Sequence, residues 1–404
     1  MHQRTMQTIS PNSRNKQFSK NEKVFLRVKQ EFLFPRTINK QTTLSDFAAV
    51  WKTDWADQHL LPRTVEGYMQ ELEGKILPVL GHIKLCNLRP VVVNRFFVSL
   101  TKDGARKDNS SGGYSKSSIE KTFNVLSSVL HVAVDFEIIE SNPCNRIRLS
   151  FAEPKEPKIN YFTPEQAMRF LDYLDESYEI STKGHHRKDD TGIAYRVPDY
   201  VSTRSLPEQS RILLMLALYS GLRKGEILAL HWSDIDFETS EVNVTKAISM
   251  VAGKPVCQAP KTHSGIRTVA IPPDLTERLA SMRKNRTEYI KSHPDKWEGA
   301  EDWIFVQKNG NLMNYCTPNH LLNDVIDRYN KDENHPEKLP SISFHGLRHT
   351  SATLLIHGNQ DVKTVQSRLG HAEASTTMNI YAHALQKNDR SACNALEQLL
   401  KNHH

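Results

Sequence analysis

The sequence predicts a mainly α fold with a small antiparallel β-sheet, divided between a helical domain and a larger mixed domain. Three observations carry that prediction: four amphipathic stretches between residues 44 and 142, an aperiodic proline-bearing segment SFAEPKEPKIN at 150–160, and β-type runs clustered at 241–271. At 404 residues the chain exceeds one ordinary core. A mean hydropathy of -0.54 and 25% charged residues, with no run near the roughly 18 uncharged apolar residues a bilayer span needs, exclude a membrane protein. The N-terminus MHQRTMQTISPNSRNKQF is basic but lacks the apolar core of a secretory signal, so a cytoplasmic location is expected. Cys86, Cys144, Cys257, Cys316 and Cys393 are odd in number, far apart and never in CxxC spacing, which fits reduced packing residues rather than disulfides or zinc ligands.

Each element follows from local pattern. Leu44, Phe47, Trp51 and Trp55 recur at helical steps behind Thr43, a cap, so 44–58 reads as the first helix. Pro62 to Leu72 and Pro90 to Leu100 each open with a first-turn proline, and Ser115 caps a run with the apolar face Ile119, Phe123, Leu126, Leu130 and Val134. Asn142-Pro143 ends that helix, which sets a helical domain at 44–149, a linker at 150–160 and a second domain at 161–404.

The second domain opens on Thr163-Pro164-Glu165-Gln166, a capping box, ahead of Ala167, Phe170, Leu171 and Leu174. Residues 175–206 are polar and aperiodic, an insertion or mobile loop before the apolar helix RILLMLALYS. His185 and His186 beside Asp189 and Asp190 are metal-ligand types, but a solvated loop accounts for them better and no metal is assigned. The runs EVNVTKAISM, KPVCQ and IRTVAI, separated by VAGK and THSG, predict the small antiparallel sheet. Beyond Pro273 the pattern is again helical, ending in a tail helix at 390–401 with Ala392, Ala395, Leu396, Leu399 and Leu400 on one face.

Charge is concentrated. Residues 1–43 hold nine Lys/Arg against Glu22 and Glu31, which accounts for the entire formal charge of +7. A basic arm on a neutral body fits a polyanion partner such as nucleic acid, the alternative being a solubilising tail.

Four patterns stand in order: YSGLRKGEILAL with Arg223, PKTHSGIRTVAIP with Lys261, FHGLRHTSATLL with His345 and Arg348, and LGHAEASTTMNIYAH with His371 and Tyr381. Phosphodiester transfer places charge on nonbridging oxygens, and a metal-free enzyme needs fixed donors around them. Arginine suits this because its planar fork gives two hydrogen bonds and keeps its charge, so Arg223 and Arg348 form a clamp; Glu226, three residues on, is placed to orient a neighbouring side chain. His345 and Arg348 are three apart and share a helix face, while His349 is expected to pack inward. A phenol with an ordinary pKa near 10 is a weak nucleophile, so Tyr381 needs a cationic field and proton removal. No phosphate-binding GxxxxGK[ST] loop and no two-metal carboxylate cluster is present in the sequence.

Together the four patterns resemble the tyrosine recombinases, or phage integrase family, over nearly all of 160–390, and are most similar to integrases of conjugative transposons and temperate phages of Gram-positive bacteria. The resemblance implies a core-binding domain at 44–149 and a catalytic domain at 161–404 forming a C-shaped clamp on DNA. It casts Tyr381 as nucleophile, Lys261 on a β-hairpin as general acid, with Lys254 and Arg267 as nearby competitors, and His371 as the second histidine on the scissile phosphate. It further implies integration and excision of a mobile element without metal, ATP or other cofactor. Expected partners are double-stranded DNA attachment sites, a homotetramer in the synaptic complex formed from free monomers, and excisionase-type and DNA-bending accessory proteins, acting at the bacterial nucleoid. Arm-binding domains of such integrases usually occupy some 60 residues, so the 43 here suggest a reduced one. A housekeeping dimer-resolution recombinase, a type IB topoisomerase and a catalytically silent DNA-binding regulator are the competing readings; covalent adduct on a nicked substrate separates the last from the enzymes.

Overall fold

The computed structural model describes residues 38–108, 110–149, 160–188, 190–260, 263–299 and 302–370. Residues 1–37 of the basic arm, most of the linker, Lys261, His371, Tyr381 and the predicted tail helix lie outside the described residues. The chain divides into two compact units, 1–154 and 155–404.

In the first unit, α1 (Leu44–Val50) is capped by Thr43, whose hydroxyl accepts from the Asp46 amide. It passes into a wider-wound segment, Trp51–Ala56, and a last turn, Asp57–His59. The second helix, α2 (Pro62–Glu71), does not stop near Leu72 as the sequence suggested. It continues through a wide turn, Leu72–Ile76, into Leu77–Leu80. Proline denies the helix one amide and crowds the preceding turn, and a wide turn just before Pro78 is one way to carry the chain past it. α3 (Pro90–Leu100) and α4 (Lys116–Asp135, capped by Ser115) complete the bundle. Their buried faces, including Phe47, Trp51, Leu72, Phe97, Leu126 and Leu130, form one core. Glu71 is buried beside it, bonded to Lys75 at 2.7 Å, Lys121 at 2.9 Å and Thr122 at 2.9 Å, which ties α2 to α4.

In the second unit, α5 (Pro164–Asp175) carries the expected capping box, with Thr163 and Gln166 each bonding the other's backbone. The segment 175–206 is where the structure departs most from the sequence reading. It is a two-tier antiparallel ribbon, with β1 (Ser177–Thr182) paired to β4 (Tyr200–Ser205) and β2 (His185–Lys188) to β3 (Ala194–Val197). Because nearly every position of β2 and β3 is exposed, there is no apolar alternation for a sequence reading to detect.

Helix α6 (Glu208–Ser220) is buried nearly all round through Ile212, Leu213, Leu214, Leu216, Ala217 and Leu218, and it runs through the core. After α7 (Lys224–Leu228) the short strands β5 (Ile235–Asp236), β6 (Glu241–Val244) and β9 (Arg267–Ala270) form a three-stranded antiparallel sheet. The run EVNVTKAISM splits, its second half becoming β7 (Ala247–Val251), which pairs separately with β8 (Lys254–Gln258). Four helices follow: α8 (Pro273–Ser292), α9 (Thr317–Lys331), α10 (Phe344–His357) and α11 (Val362–Leu369).

Candidate active site

The site is built where α6, α7, α10 and α11 end or begin. Helix α6 terminates at Gly221, in the left-handed region with φ 65°, and a side chain there would meet Leu369 Cδ2 at 2.6 Å. Helix α11 terminates at Gly370, also left-handed with φ 68°. The two glycine turns leave their own and neighbouring carbonyls facing Arg223 and Arg348.

Arg348 lies on α10 and is 2% exposed. Its Nη1 donates to the Gly221 carbonyl and its Nη2 to the Leu369 carbonyl, both at 2.7 Å. Arg223, half-buried at the start of α7, donates from Nη2 to the Gly370 carbonyl at 3.1 Å and from Nη1 to Glu226 Oε1 at 2.8 Å. The two guanidinium groups are therefore brought together by adjacent carbonyls. Glu226 also accepts from the Arg223 amide at 2.8 Å, so it holds that residue through backbone and side chain together.

Glu226 is 3% exposed in its side chain. Burial would raise its carboxyl pKa, but hydrogen bonds and charge from Arg267 and Arg223 outweigh that and leave it below the ordinary value, ionised. Arg267, on β9 and a competitor for the general acid in the sequence, has a side chain only 7% exposed that grips both oxygens of Glu226 at 2.9 and 3.2 Å. No local spacing marks this contact, since positions 226 and 267 are on different elements. Lys254 is exposed on the first position of β8, in the hairpin with β7.

His345 presents its ring at the surface one turn before Arg348, in edge contact with His349 at 4.7 Å between centroids. Desolvation, followed by the positive charge of His349, Arg348 and Arg223, pulls its pKa down to about 4. The field of the two arginines thus reaches His345, and the neutral imidazole is the form present near pH 7. His349 is half-buried, likewise shifted downward by burial and by Arg348.

Tyr315 and Tyr329, two further tyrosines in this half, have packing roles. Lys224 places its ammonium 4.0 Å from the Tyr315 ring centroid, and Tyr329 is buried against Tyr173 and His335, which pushes its phenol pKa up. Among the described residues no cluster of three or more His, Cys, Asp or Glu side chains suited to a metal is present, and no helix is long and apolar enough to cross a membrane.

The pattern of the Phage integrase family matches residues 194–388, and that of the phage integrase N-terminal SAM-like domain matches residues 43–100. The chain is 27% identical over 372 residues to a XerC-like tyrosine recombinase of Caldanaerobacter subterraneus subsp. tengcongensis, spanning 89% of this chain and 84% of that relative. It is 26% identical over 295 residues to the ICEBs1 integrase of Bacillus subtilis, spanning 73% and 69% respectively. Among solved structures, the Tn1549 transposon integrase in complex with transposon right end DNA has the same fold, with TM-score 0.67 at 20% identity over 88% of this chain and 99% of that one.

Proposed function

The chain belongs to the phage integrase family and is a tyrosine recombinase of the mobile-element kind, and on that premise we propose how its own residues perform strand transfer. The observation that carries the proposal is the convergence of Arg223 and Arg348 on the consecutive carbonyls of Gly370 and Leu369, with His345 in their field. Two planar forks of fixed positive charge, with an imidazole beside them, suit the nonbridging oxygens of a phosphodiester passing through a pentacoordinate state.

Tyr381 is the nucleophile. Its Oη attacks phosphorus as the P–O5′ bond breaks, the phenolic proton passing to a base and the departing 5′ oxygen taking a proton from Lys261. The products are a 3′-phosphotyrosyl link and a free 5′-hydroxyl, which attacks the equivalent link on the partner duplex and regenerates the phenol. One phosphoester replaces another at each step, so bond energy is conserved and neither ATP nor a metal is needed. His345 and His371 contribute hydrogen bonds to the scissile phosphate. Contact with that anion favours imidazolium, reversing the depression of His345 in the free protein.

The partners that follow are double-stranded attachment sites of a mobile element, integrated and excised by a tetramer assembled from monomers on two sites. Excisionase-type and DNA-bending proteins set the direction. The setting is the bacterial cytoplasm, at the nucleoid. A suicide substrate nicked near the scissile phosphate tests the enzymatic core: covalent protein–DNA adduct supports the reading, and binding without adduct leaves only a DNA-binding regulator.

A further inference from the structure

We infer that Arg267 is a positioning residue for strand cleavage, setting the Arg223 fork through Glu226 while fastening the approach to two other reactive segments; the inference rests on the strand-transfer reading above. Every polar arm of its guanidinium is engaged. Nη1 and Nη2 hold the two oxygens of Glu226 at 3.2 and 2.9 Å, Nη1 also donates to the Gly265 carbonyl at 3.1 Å, and Nε donates to the Arg368 carbonyl at 2.7 Å. One buried side chain therefore joins its own loop at Gly265 to two segments distant in sequence, at Glu226 and Arg368.

Each of those segments leads to the site. Glu226 holds Arg223 by side chain and amide. Gly265 lies four residues after Lys261, and Arg368 lies three residues before His371. The fit leaves no slack at the crossing point, since a side chain on Gly370 would come within 2.9 Å of Arg267 Nη1. Ionised Glu226 has two arginine partners, so its carboxylate is divided between a buried strut and a clamp. Without Arg267, the carboxylate would be drawn wholly to Arg223, and the fork would turn from the phosphate toward Glu226. Lysine at 267 can supply charge but not four directed donors, so it should restore only part of the effect.

The test is single-turnover cleavage of a nicked suicide duplex by the full chain, with Arg267→Met, Arg267→Lys, Glu226→Gln and the Arg267→Met/Glu226→Gln pair. Expected is a fall of about a hundredfold or more in the cleavage rate constant of Arg267→Met, with duplex Kd within about threefold, the reacting fraction retained, and about tenfold recovery in Arg267→Lys. The double variant should be no slower than the worse single one, because both changes act through the placement of the same fork. A merely structural arginine would lower the reacting fraction and leave the rate constant of the remaining molecules intact; that result, an unchanged rate constant, or multiplicative losses in the double variant would overturn the inference. If Arg267→Met does not fold, the cycle is run with Arg267→Lys, which keeps the buried charge paired. Failure of the underlying reading has a different signature: Arg223→Lys cleaving at the wild-type rate.

Discussion

Arg223 and Arg348 are anchored on neighbouring carbonyl oxygens, those of Gly370 and Leu369, at 3.1 and 2.7 Å. Two like charges so placed repel, and the ionised Glu226 against Arg223 offsets that repulsion in a buried setting where water screens little. The pair is thus pre-set before DNA arrives, which is what electrostatic stabilisation of a transition state requires. Arg223→Lys should bind duplex as tightly as wild type yet cleave far more slowly, since an ammonium cannot hold Glu226 and give a two-pronged contact to phosphate. Single-turnover adduct formation beside a filter-binding Kd checks this, and near wild-type cleavage would remove Arg223 from the clamp.

Tyr381→Phe should abolish covalent adduct while leaving duplex affinity within about threefold, because one hydroxyl is lost from a large charged interface. Adduct that persists in Tyr381→Phe would send the search for the nucleophile elsewhere.

The fold was legible wherever burial is one-sided. Thr43, Ser115 and Thr163 act as the caps their sequence context predicts, and the apolar stripes behind them form the cores. The ribbon 177–205 was not legible because its outer tier buries almost nothing, so strand pairing there leaves no trace in polarity. The extension of α2 beyond Leu72 carries Pro78, a residue unfavourable inside a helix, and the chain winds past it through a wide turn. In the site, the residue types and their spacing single out Arg223, His345 and Arg348, which the fold brings to one place. Arg267 escaped because Glu226 and the Arg368 carbonyl are remote in the chain and only the fold gathers them.

His345 predicts a pH dependence. Its pKa in the folded protein is about 4, against an ordinary value of 6.5, so between these values the unfolded chain binds more protons than the folded one. Stability of the DNA-free protein should therefore fall as pH is lowered from about 6.5 toward 4, and the loss should be smaller in His345→Gln. Melting temperatures of both proteins across that range give the answer; parallel curves would mean the ring titrates normally. Duplex DNA should reduce the same loss, since phosphate favours the charged ring.

The basic arm gives a prediction about salt. Deleting residues 1–43 removes nine Lys/Arg and should weaken binding to DNA flanking the core site, with about 0.9 lost from the log–log salt slope per phosphate contact given up. Core-site cleavage should survive. An identical slope for the shortened protein would reduce the arm to a solubilising tail.

Glu71 predicts a hierarchy in the helical unit. Burial acts to raise its pKa, but bonds from Lys75, Lys121 and Thr122 overcome this and hold it below the ordinary carboxylate value. Its contribution is therefore present above about pH 4.5 and lost as acid protonates it in the folded state. The three partners are unequal. Lys121 has a side chain 57% exposed, so Lys121→Ala should cost about 0–1 kcal/mol, as exposed ion pairs do. Lys75 is only 16% exposed, so Glu71→Ala leaves a largely desolvated ammonium without its counter-charge, while the buried Thr122 hydroxyl keeps the Ser118 carbonyl at 2.9 Å. That should cost about 3 kcal/mol, the lower end for a broken buried pair. Glu71→Gln should fall between, because an amide keeps the Thr122 hydrogen bond while losing the charge. Urea denaturation of the full-length protein, followed through Trp51 and Trp55 fluorescence, orders the three variants. If Lys121→Ala proved as damaging as Glu71→Ala, the stabilising charge would lie at the surface rather than between α2 and α4.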